Sequence, residues 1–215
     1  MKDQVAASAT QEEPLSYLCR KDPQLADLIR SLGPISYSNT RNVFEDVVSC
    51  ILDMRIHYAP SHAAFRYPRL KKILKGKPLQ PSDVQHLSEE VLLELKLSRQ
   101  KHNSLKLWAD QWIDKEMDDV DWYALEDSEV REQLVQVKGV SDWTVQMVLM
   151  FTLERPDIFP VSDYQLAKSM AEVYGLGRQN PLKAMEKTAE LWRPYRSLAV
   201  MYFWQWRRSG KRQML

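Results

Sequence analysis

Positions 134–170 read LVQVKGVSDWTVQMVLMFTLERPDIFPVSDYQLAKSM. Two groups of residues in this stretch could do chemistry. Lys138, Gly139, Val140 and Ser141 form a tight turn between two apolar segments. Ser141 can cap the second segment as a helix, leaving the N–H groups of its first turn facing outward. A helix start of this kind binds phosphate without reading any base. Gly139 stands where a chain reversing between helices needs a positive φ or a close backbone approach. Further on, Asp163 is a lone carboxylate where a third helix begins, one helix and one loop beyond Trp143. By residue type alone, the turn could equally be plain scaffold and Asp163 a helix-capping acid.

The elements that must position these groups are helical. Leu134, Val137, Val140, Val145, Val148, Leu149 and Phe151 pack two helices across Gly139. Asp127 or Ser128 can cap the first of them, over 129–137. Ser162 and Gln165 fit a capping box at the start of the third helix. Upstream, 14–32 reads as one helix that stops at Gly33-Pro34. Thr40 can cap the next, a core helix carrying Val43, Phe44, Val47, Val48, Ile51 and Leu52, whose polar end 53–58 could meet a ligand or simply reach solvent. Residues 61–74 form another helix, and Ser88 caps 89–97. Helix 98–116 follows with Leu105, Leu107, Trp108 and Trp112 on one side, then a short turn at 122–125.

Composition sets the frame. The chain has 215 residues, only 6 glycines, and few β-branched runs beside much Leu, Met, Glu, Lys and Trp. These point to an all-α protein with one sizeable core or two small lobes. Cys19 and Cys50 cannot make a four-thiolate metal site and read as reduced thiols of a cytosolic protein. His57, His62, His86 and His102 lack metal-ligand spacing, and no Gly-rich phosphate loop or dinucleotide fingerprint appears. No apolar run has the length of a membrane span. The first residues, 1–13, lack an apolar signal core and read as a disordered tail. The net charge of +1 is neutral on nucleic acid. Basic clusters at 66–77 and 207–212 fit either a phosphate backbone or a solvated surface.

The stretch Val137-Lys138-Gly139-Val140-Ser141-Asp142-Trp143-Thr144-Val145, followed by Phe159-Pro160-Val161-Ser162-Asp163, resembles the helix-hairpin-helix (HhH-GPD) superfamily of DNA glycosylases. That family's pattern runs Leu-Pro-Gly-Val-Gly-x-x-Thr-Ala and then, about a helix later, Pro-x-Asp. Lys138 replaces the usual proline and Ser141 the second glycine. Trp143-Thr144, Trp192-Arg193-Pro194-Tyr195-Arg196-Ser197 and Tyr202-Phe203-Trp204 narrow the likeness to the 3-methyladenine DNA glycosylase II branch, over about 14–206. The resemblance implies an all-α fold of two helical lobes with the active-site cleft between them and no N-terminal β-domain. Residues 41–159 would form a central lobe holding the hairpin at 129–152, and 14–40 with 160–215 the second.

The same resemblance implies a monofunctional glycosylase excising 3-methyladenine, with 7-methylguanine a further candidate, from duplex DNA. Asp163 matches the catalytic aspartate, which stabilises the cationic sugar or orients a water. Trp143 occupies the position of the lyases' lysine nucleophile, so no Schiff base can form there. Trp143 and Trp204, with Met147, would border the base pocket, where a cationic purine gains cation–π attraction of about 0.5–2 kcal/mol; Trp108, Trp112 and Trp192 read as core filler. Lys138, Gly139, Val140, Ser141 and Thr144 would grip DNA, with Arg55 as the inserted wedge and His57 or Tyr58 beside it. The family's glutamine and serine are missing from that stretch. By position, the carbonyls of Val135, Val137 and Val140 would hold a Na+ or K+; no other cofactor and no iron–sulfur cluster is implied. The expected partner is damaged double-stranded DNA, bound by a monomer with no membrane association, in the nucleoid or the nucleus. Uracil or hypoxanthine as the lesion, and a non-catalytic hairpin module, remain the alternatives.

Overall fold

The computed structural model describes residues 13–37, 39–53, 66–176 and 181–210. All but the last residue of the expected tail, and the stretch holding Arg55, His57 and Tyr58, lie outside them. Among the described residues there is no strand. The helices are α1 (Pro14–Lys21), α2 (Pro23–Leu32), α3 (Val43–Asp53), α4 (Arg66–Ile73), α5 (Pro81–Gln85) and α6 (Glu89–Glu94). They continue with α7 (Arg99–Asp114), α8 (Asp127–Val135), α9 (Asp142–Met147), α10 (Tyr164–Tyr174), α11 (Pro181–Ala189) and α12 (Arg196–Ser209). α9 runs directly into a single π-helical turn, Val148–Thr152.

Buried side chains gather in two clusters. The first joins α3, α4, α7, α8 and one side of α9, with Phe44, Trp108, Trp112 and Trp122 among its largest members. The second joins α1, α2, α10, α11 and α12 around Trp192, Tyr202, Phe203 and Trp206. The spine formed by α9 and its π turn serves both. Val145, Val148 and Leu149 enter the first cluster, and Met147, Met150 and Phe151 the second. Trp108, Trp112 and Trp192 are core residues as expected, at 4% exposure or less.

Several local expectations are corrected. The single helix over 14–32 is two, because Pro23 lacks the N–H to continue α1 and Asp22 starts α2 instead. Asp22 Oδ1 accepts the Leu25 N–H at 3.0 Å. Its Oδ2 is buried under the Tyr174 hydroxyl at 2.6 Å and the Trp192 Nε1–H at 2.8 Å. Asn42, not Thr40, caps α3, its Oδ1 accepting the Glu45 N–H at 2.9 Å. Thr40 instead donates to buried Asp46 at 2.8 Å. α8 starts two residues early, at Asp127, where the Glu126 N–H meets the Glu129 carboxylate at 2.8 Å. Asp53, at the polar end that could meet a ligand or reach solvent, does neither and is fully buried. Its two oxygens accept the first N–H groups of α4, from Arg66 at 3.1 Å and Tyr67 at 3.2 Å.

Candidate active site

The hairpin is built from α8, the turn 136–141 and α9. The Val140 N–H closes the turn onto the Val137 carbonyl at 3.0 Å. Gly139 has φ +106°, a conformation closed to side-chain-bearing residues, and it presses on α7. A Cβ placed there would sit 2.3 Å from Ser104 Oγ and 2.6 Å from Ser104 Cβ. Positive φ and close approach thus both hold at this position. Ser141 Oγ caps α9 by accepting the Thr144 N–H at 3.3 Å.

α9 carries Trp143 in its first turn, half-buried. From there the indole Nε1–H reaches Asp163 Oδ2 at 2.9 Å. Asp163 is half-buried at the start of α10 and is itself the cap: its Oδ1 accepts the Leu166 N–H at 2.7 Å. The cap expected at Ser162 is therefore taken by Asp163, one residue on, without a capping box. From the other side the Nε1–H of Trp204, on α12, donates to Oδ1 at 2.9 Å. One carboxylate thus receives three N–H donors from three separate helices. Phe151, delivered by the π turn, stacks on Trp204 with centroids 5.8 Å apart and planes at 26°. Tyr37 packs on Phe151 at 5.5 Å and donates its hydroxyl to the Met201 carbonyl at 2.7 Å. Burial pushes the Tyr37 phenol well above its ordinary range, so it stays protonated.

The segment 192–197 holds the loop that delivers Asp163. Arg196 grips Asp157 with a fork, Nε to Oδ1 at 2.7 Å and one terminal nitrogen to Oδ2 at 3.0 Å. That same terminal nitrogen reaches the Asp157 carbonyl at 2.7 Å. Ser197 Oγ donates to the Arg155 carbonyl at 2.6 Å and accepts the Ile158 N–H at 2.9 Å. Six residues past Asp157, the Asp163 N–H closes onto the Pro160 carbonyl at 2.9 Å. α12 is tied to α10 by Arg207, which contacts Gln165 at 3.0 Å and the Glu172 carboxylate at 3.0–3.1 Å.

The structure brings Trp143, Asp163 and Trp204 together and places Lys138 and Ser141 on the exposed side of the hairpin. Two expected contacts are corrected. Met147 is fully buried in the second cluster, so it backs the site instead of lining a pocket. Thr144 is also fully buried, with its hydroxyl 3.3 Å from Ser141 Oγ, and cannot reach DNA through its side chain. Val140 keeps 8% exposure and can offer only backbone. Several cations of the basic clusters are committed within the protein. Lys71 pairs with buried Glu45 at 2.8 Å, Arg69 with Glu94 at 3.1 Å, and Arg66 binds the Leu95 carbonyl at 3.0 Å. Neither Phe151 nor Tyr37 was anticipated at this site; the spacing of Phe151 reads only as hairpin packing, and the π turn has no composition signature. A groove of about 640 Å³ opens beside Ser162, between α8, α9 and 157–162, and contains neither Asp163 nor either tryptophan.

Comparison with known proteins finds no matching family model. DNA-3-methyladenine glycosylase 1 of Schizosaccharomyces pombe is 26% identical over 211 residues, 95% of this chain and 90% of the relative. The structure of the 3-methyladenine DNA glycosylase of that yeast in complex with abasic DNA matches with a TM-score of 0.77 at 25% identity. That match covers 90% of this chain and 96% of the other. A DNA-3-methyladenine glycosidase from Bacillus halodurans has the same fold, with TM-score 0.70, 24% identity, and coverage of 92% and 90%.

Proposed function

We propose that this chain, whose relatives and structural neighbours are 3-methyladenine DNA glycosylases and related helix-hairpin-helix glycosylases, is itself such an enzyme. It hydrolyses the N-glycosidic bond of 3-methyladenine, and of 7-methylguanine as a second substrate, after the base leaves the duplex. The observation that carries this reading is the Asp163 carboxylate fixed between two indole N–H groups at a helix start. Loss of the base builds positive charge on the sugar, and a preorganised anion beside the anomeric carbon lowers that barrier. A methylated purine already carries positive charge and leaves with little acid assistance, so one carboxylate and water suffice.

At position 143 an indole offers no amine for a Schiff base, which supports release of the base without strand cleavage. The hairpin turn would hold a DNA phosphate through its outward N–H groups and Lys138. A monovalent cation belongs to the same proposal: the carbonyls of Val135, Val137 and Val140 are neutral oxygen donors of the kind that hold Na+ or K+. Val137 O accepts one N–H and keeps its second lone pair. The protein would act as a monomer on damaged duplex.

Single-turnover excision from oligonucleotides carrying 3-methyladenine, 7-methylguanine, hypoxanthine or uracil tests this, with wild type beside Asp163→Asn. The expected outcome is release of methylated purines with an intact strand, slowed at least about 100-fold in the variant, the scale of one lost charge-stabilising group. Equal rates would remove Asp163 from the chemistry. Excision confined to uracil or hypoxanthine would change the lesion, and no excision at all would leave a DNA-binding module. Adduct trapping by borohydride would contradict the monofunctional reading.

A further inference from the structure

We propose that Trp143 and Trp204 are positioning residues for Asp163 through their indole N–H groups, a role separate from any stacking of their rings on the base. This rests on the glycosylase reading above and names how its carboxylate is held. Trp143 donates to Oδ2 at 2.9 Å and Trp204 to Oδ1 at 2.9 Å, while the Leu166 N–H holds Oδ1 at 2.7 Å. Donors on both oxygens fix the plane of the carboxylate as well as its place. Each donor comes from a different helix, so rotation of the side chain breaks at least one bond whichever way it turns.

The chemistry of the donors matters as much as their number. An indole N–H only donates, and it neither gains nor loses a proton in the working range. The anion is therefore held by groups that cannot accept a proton from the reaction or compete as bases. The hydrogen bond also lies in the plane of the indole, so it leaves the ring faces for other contacts. Phe151 stacks on one face of Trp204 at 5.8 Å, and no other described ring stacks on it. One side chain can thus orient the carboxylate along its edge and meet a base with a face. Spacing in the sequence suggests the second role only; the edge contact needs the fold.

Phenylalanine separates the two roles because it keeps an aromatic face and removes the N–H. Trp143→Phe and Trp204→Phe are each expected to lower kcat for methylpurine release on the order of tenfold, with KM within about twofold. The loss is smaller than the 10²–10³ of a donor that touches the reacting atoms, because the effect passes through Asp163. Trp204→Leu, which removes the face as well, raises KM in addition. A second readout needs no activity. In protein carrying 15N-labelled tryptophan, Asp163→Asn leaves one acceptor oxygen where there were two, so the indole N–H resonances of Trp143 and Trp204 must move while that of Trp108 stays. Unmoved resonances overturn the proposal, as does a Phe variant that alters KM alone. If wild type excises no lesion, the glycosylase reading fails while the resonances still decide whether the clamp exists.

Discussion

Gly139→Ala tests the hairpin directly, because two independent costs meet at that residue. The first is conformational. At φ +106° an alanine sits outside the regions open to L residues, a strain of about 1–3 kcal/mol. The second is steric. The new Cβ would lie 2.3 Å from Ser104 Oγ and 2.6 Å from Ser104 Cβ, both too close for carbon, in the middle of a 16-residue helix that cannot easily step aside. Overpacking of this kind costs about another 1–3 kcal/mol. The sum, about 2–6 kcal/mol, corresponds to a fall in melting temperature of roughly 5–20 °C for a chain of this size. Ser104→Gly separates the terms, since it removes both clashing atoms and leaves the strain. In a double-mutant cycle by urea unfolding, Gly139→Ala measured in the Ser104→Gly background should cost about 1–3 kcal/mol less than in wild type. Additive single and double variants would refute the packing argument. A cost below about 0.5 kcal/mol for Gly139→Ala alone would refute both parts.

Arg196→Met removes a fork that is mostly shielded from water, with the side chains 15% and 26% exposed, and should cost about 2 kcal/mol in thermal unfolding and slow excision through a looser approach to Asp163. Asp53→Ala leaves the first two N–H groups of α4 without an acceptor in a fully buried place, a loss of about 1–3 kcal/mol by urea unfolding. Lys138→Ala is expected to leave stability within about 0.5 kcal/mol and to reduce the slope of log affinity for duplex against log salt by about one, the signature of a single phosphate contact. Burial holds the Asp46 carboxyl above its ordinary range despite hydrogen bonds from Thr152 and Thr40 that pull it down, and the Glu45 charge adds to the rise. The native state then takes up this proton more readily than the unfolded chain. Its contribution to stability is present below the ordinary carboxylate range and is lost as pH rises through the raised native value. Urea unfolding of wild type against Asp46→Asn should therefore show wild type losing ground to the variant as pH rises above the ordinary carboxylate range, and the opposite trend would refute the assignment.

What could be read from the sequence was whatever spacing and residue chemistry fix locally. The reversal at Gly139, the cap at Ser141, the carboxylate at a helix start and the tryptophans in the core are all of that kind. Misreadings arose where a choice among local options was decided by distant partners. Ser162 and Asp163 can both cap α10. Asp163 takes the cap because two indoles from other helices draw its carboxylate into that place. Thr40 and Asn42 likewise compete for α3, and Thr40 is claimed by Asp46, which Thr152 approaches from the π turn at 2.6 Å. Thr144 and Met147 lie on the same short helix as Trp143, and no periodicity over six residues tells which face meets the second cluster. The polar end at Asp53 was open to ligand or solvent because its role, capping a helix that begins thirteen residues later, leaves no trace in its neighbours.

These corrections change how the protein must hold DNA. With Thr144 buried, the hairpin side chains expected to grip DNA that remain exposed are Lys138 and Ser141. The cations that looked available at 66–77 and at Arg207 are partly committed to Glu45, Glu94, Glu172 and backbone carbonyls. The net charge of +1 gives the chain as a whole little attraction to duplex, so local charges at the hairpin count for more. Hydrogen bonds from turn N–H groups carry no net charge and release no counterions, so they survive salt better than lysine contacts. Lys138 in place of proline then supplies an exposed positive charge at the hairpin turn itself. Ser141 in place of glycine adds a side-chain cap that keeps the first N–H groups of α9 oriented. Under the proposed reading both departures would serve one phosphate grip, placed two residues before the Trp143 indole that donates to Asp163.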